Sequence, residues 1–176
     1  MRNATVKRWA AAATMALAVA HPPSAVADPA QMPDLSRYAP MRYEDYPQYN
    51  DYPGWVGLQF LTPSGYRCRL KYNQKPNASI AECWGALPAT SSNLVRTSNR
   101  GPTTFDTKDL TEQEQYRRSD STAAVVPISP DTYKLLPAGS SITAPDLGTC
   151  AVTSTTTTCE TGSHGFILDP QGNHSF

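Results

Sequence analysis

The stretch Gly65–Gly85, GYRCRLKYNQKPNASIAECWG, constrains this chain most, because it reads as two strands closed by a disulfide. Tyr66, Cys68 and Leu70 alternate with Arg67, Arg69 and Lys71, a period of two that makes one face apolar and the other basic. Asn73–Asn77 is turn-forming, and Pro76 cannot continue a central strand. Ile80–Trp84 then returns as the second strand. Pairing Cys68 with Cys83 sets a register. It places Arg69 opposite Glu82, an opposite-charge pair worth about 0.2–1 kcal/mol. It places Arg67 opposite Trp84, where cation–π stacking is possible, and Tyr66 opposite Gly85, which a facing ring can cover. Closing a loop of about 15 residues contributes roughly 3 kcal/mol by chain entropy. The basic stripe Arg67/Arg69/Lys71 reads first as a solvated edge strand whose charges block sheet-to-sheet association. The competing reading is a binding surface.

A disulfide needs an oxidising compartment, and the N-terminus supplies a route to one. Arg2, Lys7 and Arg8 form a positive start, and Ala10–Ala20 is an apolar run too short to span a bilayer. Ala25-Val26-Ala27 is an A-x-A cleavage site. The expectation is a signal peptide over residues 1–27, cleavage between Ala27 and Asp28, and a product that is secreted or held at the cell envelope. No later segment reads as a membrane helix. Removing 1–27 takes three of the 15 basic residues and none of the 15 acidic ones, leaving a net charge of −3. That balance argues against a generally basic nucleic-acid binder. The remaining 149 residues fit one domain, and only 24 of them are Val, Ile, Leu or Phe. So small an aliphatic core needs help from the four cysteines and nine tyrosines.

Asp28–Pro53 has no clear period and reads as a Pro/Tyr-rich arm. Its tyrosines, Tyr46, Tyr49 and Tyr52 among them, suit either packing on the protein's own sheet or recognition of a partner. Thr62-Pro63-Ser64-Gly65 is a turn of x-Pro-x-Gly type that returns at 136–139 and 169–172, each time after strand-like residues. This predicts three hairpins with one turn chemistry. Asn93–Thr97 reads as a strand, Ser98–Thr104 as a loop and Thr122–Ile128 as strand-like. Lys108–Arg118 carries acids early and bases late, which predicts one short helix. Cys150 and Cys159 flank AVTSTTTT, a β-branched run that predicts a second hairpin with a loop wider than two residues. Four cysteines allow three connectivities. The local one, 68–83 and 150–159, is chosen because each pair flanks its own hairpin. The expected fold is mainly β: a small antiparallel sandwich or barrel-like sheet over 54–176, with two local disulfides and at most one short helix.

Chemistry-bearing motifs are scarce. Ser163 and His164 are adjacent, so in a strand they point to opposite faces and make a poor nucleophile–base pair. In a hairpin around Pro170–Gly172, His174 falls near Ile167, and His164 lies about 10 Å further along, too far for shared metal ligation. No zinc, phosphate-loop or nucleophile-elbow spacing occurs, and no cofactor or metal is expected.

Several segments together resemble a group of small secreted proteins of unknown function from mycobacteria and related actinobacteria. They are Ala25–Pro29 (AVADP), Phe60–Cys68 (FLTPSGYRC), Cys83-Trp84-Gly85, Leu136–Gly139 (LPAG) and Thr158–Pro170 (TCETGSHGFILDP). The resemblance covers about half of the chain after residue 27 and implies export and a disulfide-bearing β domain. It carries over no catalytic residue and leaves the Tyr-rich arm outside.

The expected function is therefore an exported, non-enzymatic binding or interaction module acting on another protein or an envelope component. Tyr46, Tyr49, Tyr52, Arg67, Arg69 and Lys71 are its candidate contacts. The alternatives are a small hydrolase using His164 or His174, and an envelope-structural protein without a dedicated ligand.

Overall fold

The computed structural model describes residues 30–118 and 124–176. The expected signal peptide, its cleavage position, the first two residues of the arm and Thr122–Ala123 lie outside them. The architecture is mainly β, with two sheets in a sandwich. The strands are β1 (Ala39–Met41), β2 (Gln48–Asp51), β3 (Trp55–Leu61), β4 (Arg67–Asn73) and β5 (Ala78–Trp84). They continue with β6 (Leu94–Ser98), β7 (Gly101–Asp106), β8 (Gln115–Arg117), β9 (Val125–Pro127) and β10 (Lys134–Leu135). The last five are β11 (Ser140–Ala144), β12 (Gly148–Val152), β13 (Thr157–Thr161), β14 (His164–Asp169) and β15 (Gly172–Ser175). One sheet runs β1-β11-β12-β13-β14-β15 and the other β10-β3-β4-β5-β6-β7, with β2 also on β3. β8 and β9 form a separate hairpin. No helix among the described residues is long and apolar enough to cross a membrane.

Alternation decides which side chains enter the core. Leu58, Phe60, Cys68, Leu70, Ala81, Cys83 and Val95 point inward from one sheet and meet Ile142, Cys150, Val152, Cys159, Phe166 and Leu168 from the other. Both disulfides form as expected, between Cys68 and Cys83 and between Cys150 and Cys159. Each joins residues that face each other across adjacent strands, and all four cysteines are fully buried. The register around the first bridge is the expected one, Arg67 opposite Trp84 and Arg69 opposite Glu82. Gly85 adopts a φ of 140°, with the Tyr66 ring lying over it. Val152 faces Thr157, and Thr153–Thr156 closes that hairpin through the Thr153 Oγ1, which accepts from the backbone N–H of Thr156 at 2.9 Å.

Five expectations are corrected. The arm is not separate from the sheets: β1 runs parallel to β11 and β2 antiparallel to β3, so it closes an edge of each sheet. Its prolines are tolerated because β1 is an edge strand and Pro47 contributes only its carbonyl, which accepts from Gln59 N–H at 3.0 Å. Lys108–Arg118 is not a helix but a single 3-10 turn, Leu110–Glu112, followed by β8. Its large apolar residues, Leu110 and Tyr116, are six apart and would lie on different faces of a helix; as turn and strand both reach one cluster with Trp84. Ser98–Thr104 is a tight turn into edge strand β7, whose position accommodates Pro102. Of the three x-Pro-x-Gly turns, 62–65 and 169–172 join hairpin partners. Leu136–Gly139 instead carries the chain from β10 in one sheet to β11 in the other. Finally, β4 lies between β3 and β5, so its basic stripe is on a central strand and not an edge.

Candidate functional site

The face of the β10–β7 sheet turned away from the core is covered by residues within 110–118 and 124–133. Trp84 and Leu94 on this face pack with Ile128 and Tyr133, flanked by Leu61, Leu110 and Tyr116. The basic stripe lies beneath this layer. Glu114 descends onto it as a hub: its Oε1 accepts from Arg67 Nη1 at 2.6 Å and from Trp84 Nε1 at 2.7 Å, and its Oε2 accepts from the Tyr133 hydroxyl at 3.0 Å. Arg69 is 4% exposed; it donates to the Tyr133 hydroxyl at 3.1 Å and to the Gln113 carbonyl. Its guanidinium also lies over Trp84, 4.7 Å from the ring centroid, and over Tyr49 at 5.1 Å. Lys71 Nζ donates to Glu82 Oε1 at 2.9 Å, and Arg96 grips Glu82 Oε2 at 2.8 and 2.9 Å. The residues that face each other across β4–β5 are thus not the partners expected, whereas Arg96 faces Glu82 across β5–β6. Glu82 pairs with Lys71 and Arg96, and the cation over Trp84 is Arg69, with Arg67 over Tyr133 instead.

Burial acts on Glu82, Tyr49 and Tyr133. It would raise the Glu82 carboxyl, but Lys71 and Arg96 outweigh it and hold the group at about 2. Burial pushes the Tyr49 and Tyr133 phenols up, so both stay protonated hydroxyls at neutral pH; the Arg69 charge opposes this in each case.

Beside this network, a cleft of about 600 Å³ opens between β2 and the β8–β9 hairpin. Tyr49 and Gln59 lie on one side, Tyr116, Val126, Pro127 and Ile128 on the other. Tyr116 faces Val126, and Ile128 N–H donates to the Glu114 carbonyl at 2.7 Å, so Glu114, Tyr116, Val126 and Ile128 share one face of the hairpin. Glu114 anchors that face to the sheet, and the Tyr116–Val126 end overhangs β2.

Among the described residues, two cleft-lining side chains carry a buried polar atom without a hydrogen-bond partner, Tyr49 Oη and Gln59 Oε1, and Arg69 Nε is a third such atom on the strand behind them. They come from neighbouring positions, since Gln59 faces Arg69 across β3–β4 and Tyr49 faces Gly57, two residues before Gln59. The Gln59 amide orientation is fixed. Its Nε2 donates to Thr132 Oγ1 at 2.9 Å, and the one hydroxyl proton of Thr132 is spent on the Ser129 carbonyl at 2.7 Å. Gln59 Oε1 is therefore an acceptor lacking a donor.

The edge of β2 is open as well. Gln59 N–H donates to the Pro47 carbonyl, so Pro47, Tyr49 and Asp51 direct their main-chain groups at β3, while Gln48 and Asn50 direct theirs away. Tyr52, next on that outward side, donates its N–H to the Arg117 carbonyl at 2.9 Å, and Arg117 N–H donates to Asp51 Oδ1 at 2.8 Å. Among the described residues the edge is thus occupied by β8 at Tyr52 and open at Asn50 and Gln48, both of which line the cleft.

Of the expected contact residues, only Tyr49 lines this cleft. Tyr46 is 2% exposed and packs edge-on to Phe60 at 6.4 Å. Tyr52 is half exposed and borders a neighbouring shallow depression with Asp51 and Gln115. Arg67, Arg69 and Lys71 belong to the covered network. His174 faces Ile167 and His164 faces Thr161, so the two histidines are not brought together. Among the described residues no group of three His, Cys, Asp or Glu side chains is placed to hold a metal. Sequence reasoning missed Gln59, Tyr116 and Ile128, because their site exists only once the hairpin folds over the sheet.

No family model, no curated protein and no solved structure matches the chain.

Proposed function

We propose that the chain is an exported, non-catalytic binding module and that the cleft between β2 and the β8–β9 hairpin is its site. The observation that carries this reading is the pair of partnerless polar atoms on cleft-lining residues, Tyr49 Oη and Gln59 Oε1, with Arg69 Nε behind them. Each such atom costs about 1–3 kcal/mol when nothing pairs it. A ligand that completes these bonds recovers that cost, and the cleft volume falls within the range of small-molecule and short-segment sites. Export rests on the signal-like start, the resemblance to secreted proteins and the two disulfides, which suit an extracellular setting.

The test is a titration of the isotope-labelled protein with a library of neutral polar fragments, followed by amide NMR. Saturable shifts should cluster at Gln48–Asn50, Tyr116, Val126, Ile128 and the Gln59 side-chain amide. Saturable shifts confined to other surfaces, or none at all, would refute the cleft as the site.

A further inference from the structure

We propose that the open edge of β2 receives an extended peptide segment as an added strand, under the overhang of the β8–β9 hairpin. The inference rests on the cleft being the binding site and names the class of its occupant.

The main-chain geometry carries it. Gln48 and Asn50 each present an N–H and a C=O to the cleft, at the two-residue spacing of a strand edge. Only an extended polypeptide offers donors and acceptors at the same repeat. The same edge already accepts main chain one step further on, where Tyr52 N–H meets the Arg117 carbonyl at 2.9 Å. An incoming strand continues a ladder that β8 begins and then leaves.

The overhang selects the side chains. In an added strand, alternate residues project toward the outer face of the sheet, where Tyr116, Val126, Pro127 and Ile128 wait. Apolar or β-branched residues fit there. The residues between them project the other way and are free to be polar. The occupant is therefore a segment with apolar residues at every second position. A second folded copy does not suit this edge, because its own hairpin overhangs its own β2 and the two hairpins would meet.

The probe is a blocked five-residue peptide of alternating threonine and valine, titrated into the labelled protein. Two N-methylated versions accompany it, one methylated at every threonine and one at every valine. In an added strand only one of the two sets of amides faces β2. The expected result is saturable shifts of the Gln48 and Asn50 amides, lost with one methylated version and kept with the other. Asn50→Pro removes an outward N–H while leaving the β2–β3 ladder intact, and should weaken the peptide by at least about tenfold. Circular dichroism of that variant confirms the fold. Equal binding of both methylated versions, loss of both, or unchanged affinity in Asn50→Pro would overturn the proposal. Concentration-dependent shifts of Gln48 and Asn50 without peptide would assign the edge to a second copy and overturn it too. Neutral fragments that shift the cleft when the peptide does not would retain the site and dismiss strand addition; silence from both would remove the site itself.

Discussion

Replacing Glu82 with glutamine tests the covered network where its energetics are most exposed to measurement. Glu82 is fully buried, and its carboxylate is held by Lys71 Nζ at 2.9 Å and by Arg96 at 2.8 Å. Its folded value of about 2 lies below the ordinary 4.5, so the charged form stabilises the fold. At about 1.4 kcal/mol per pH unit, that difference corresponds to about 3 kcal/mol. The sign follows from the depressed value: the contribution is complete above pH 4.5 and is lost as pH falls toward 2. Glu82→Gln strands Lys71 and Arg96 against a neutral amide and should cost about 3–5 kcal/mol at pH 7. The assay is urea unfolding of both proteins at steps from pH 7 to pH 2, followed by fluorescence of buried Trp84. Other carboxylates titrate alike in both proteins, so the gap between them isolates Glu82. That gap should narrow by about 3 kcal/mol between pH 5 and pH 2. A gap that stays constant over this range would refute the claim that Glu82 is an ionised, doubly paired group.

Two further substitutions separate the hairpin from the sheet. Glu114→Gln weakens three hydrogen bonds, to Arg67, Trp84 and Tyr133, and should loosen the covering layer by about 1.5–3 kcal/mol. Hydrogen exchange should rise in β8 and β9 and stay protected in β4 and β5; a uniform rise would mean the hairpin is not a separable layer. Gly57→Ala puts a Cβ 2.8 Å from the Tyr49 ring and 2.7 Å from the Leu70 carbonyl. It should destabilise the protein by about 1–3 kcal/mol in urea unfolding and displace Tyr49 from the cleft floor, so an unchanged unfolding midpoint would contradict the close approach.

What the sequence discloses here follows from how local each signal is. The Cys68–Cys83 hairpin has its strands, turn and cross-link within 21 residues; period-two alternation gave its faces and the cysteine pairing its register without tertiary information. Cys150–Cys159 was legible for the same reason. Alternation also said that Arg67, Arg69 and Lys71 share a face, but not that a layer lies on that face. Its bonds to the stripe come from 44 to 64 positions away; the half around Gln115 was read as a helix, and the half around Val126 read as strand-like without showing what it packs on. Lys108–Arg118 was misread because charge order imitates a helix dipole, whereas the positions of Leu110 and Tyr116 fit only a turn and a strand. The arm was misread because its prolines hide β1 and β2, both of which sit where a missing N–H is harmless.

The outer layer also explains how so few aliphatic residues make a stable sandwich. A sheet face bearing Arg67, Arg69, Lys71, Glu82, Trp84 and Arg96 would ordinarily be left to water, but here Tyr49, Glu114 and Tyr133 from other segments close over it. Trp84, Tyr133 and Tyr49 supply apolar area and cation–π contacts, while Glu82 and Glu114 neutralise part of the charge. A layer built this way needs nearly every polar atom paired, because an unpaired one costs as much as several buried methylenes gain. The pairing is close to complete around Glu82 and Glu114 and fails at Arg69 Nε beneath the layer and at Tyr49 and Gln59, where a cleft separates the hairpin from β2. The other partnerless buried atoms, in Ser64, Thr97, Thr157 and Asn173, are spread over different strands and turns and adjoin no common cleft. Tyr49 and Gln59 instead share one cleft, at the point where the edge of β2 also opens.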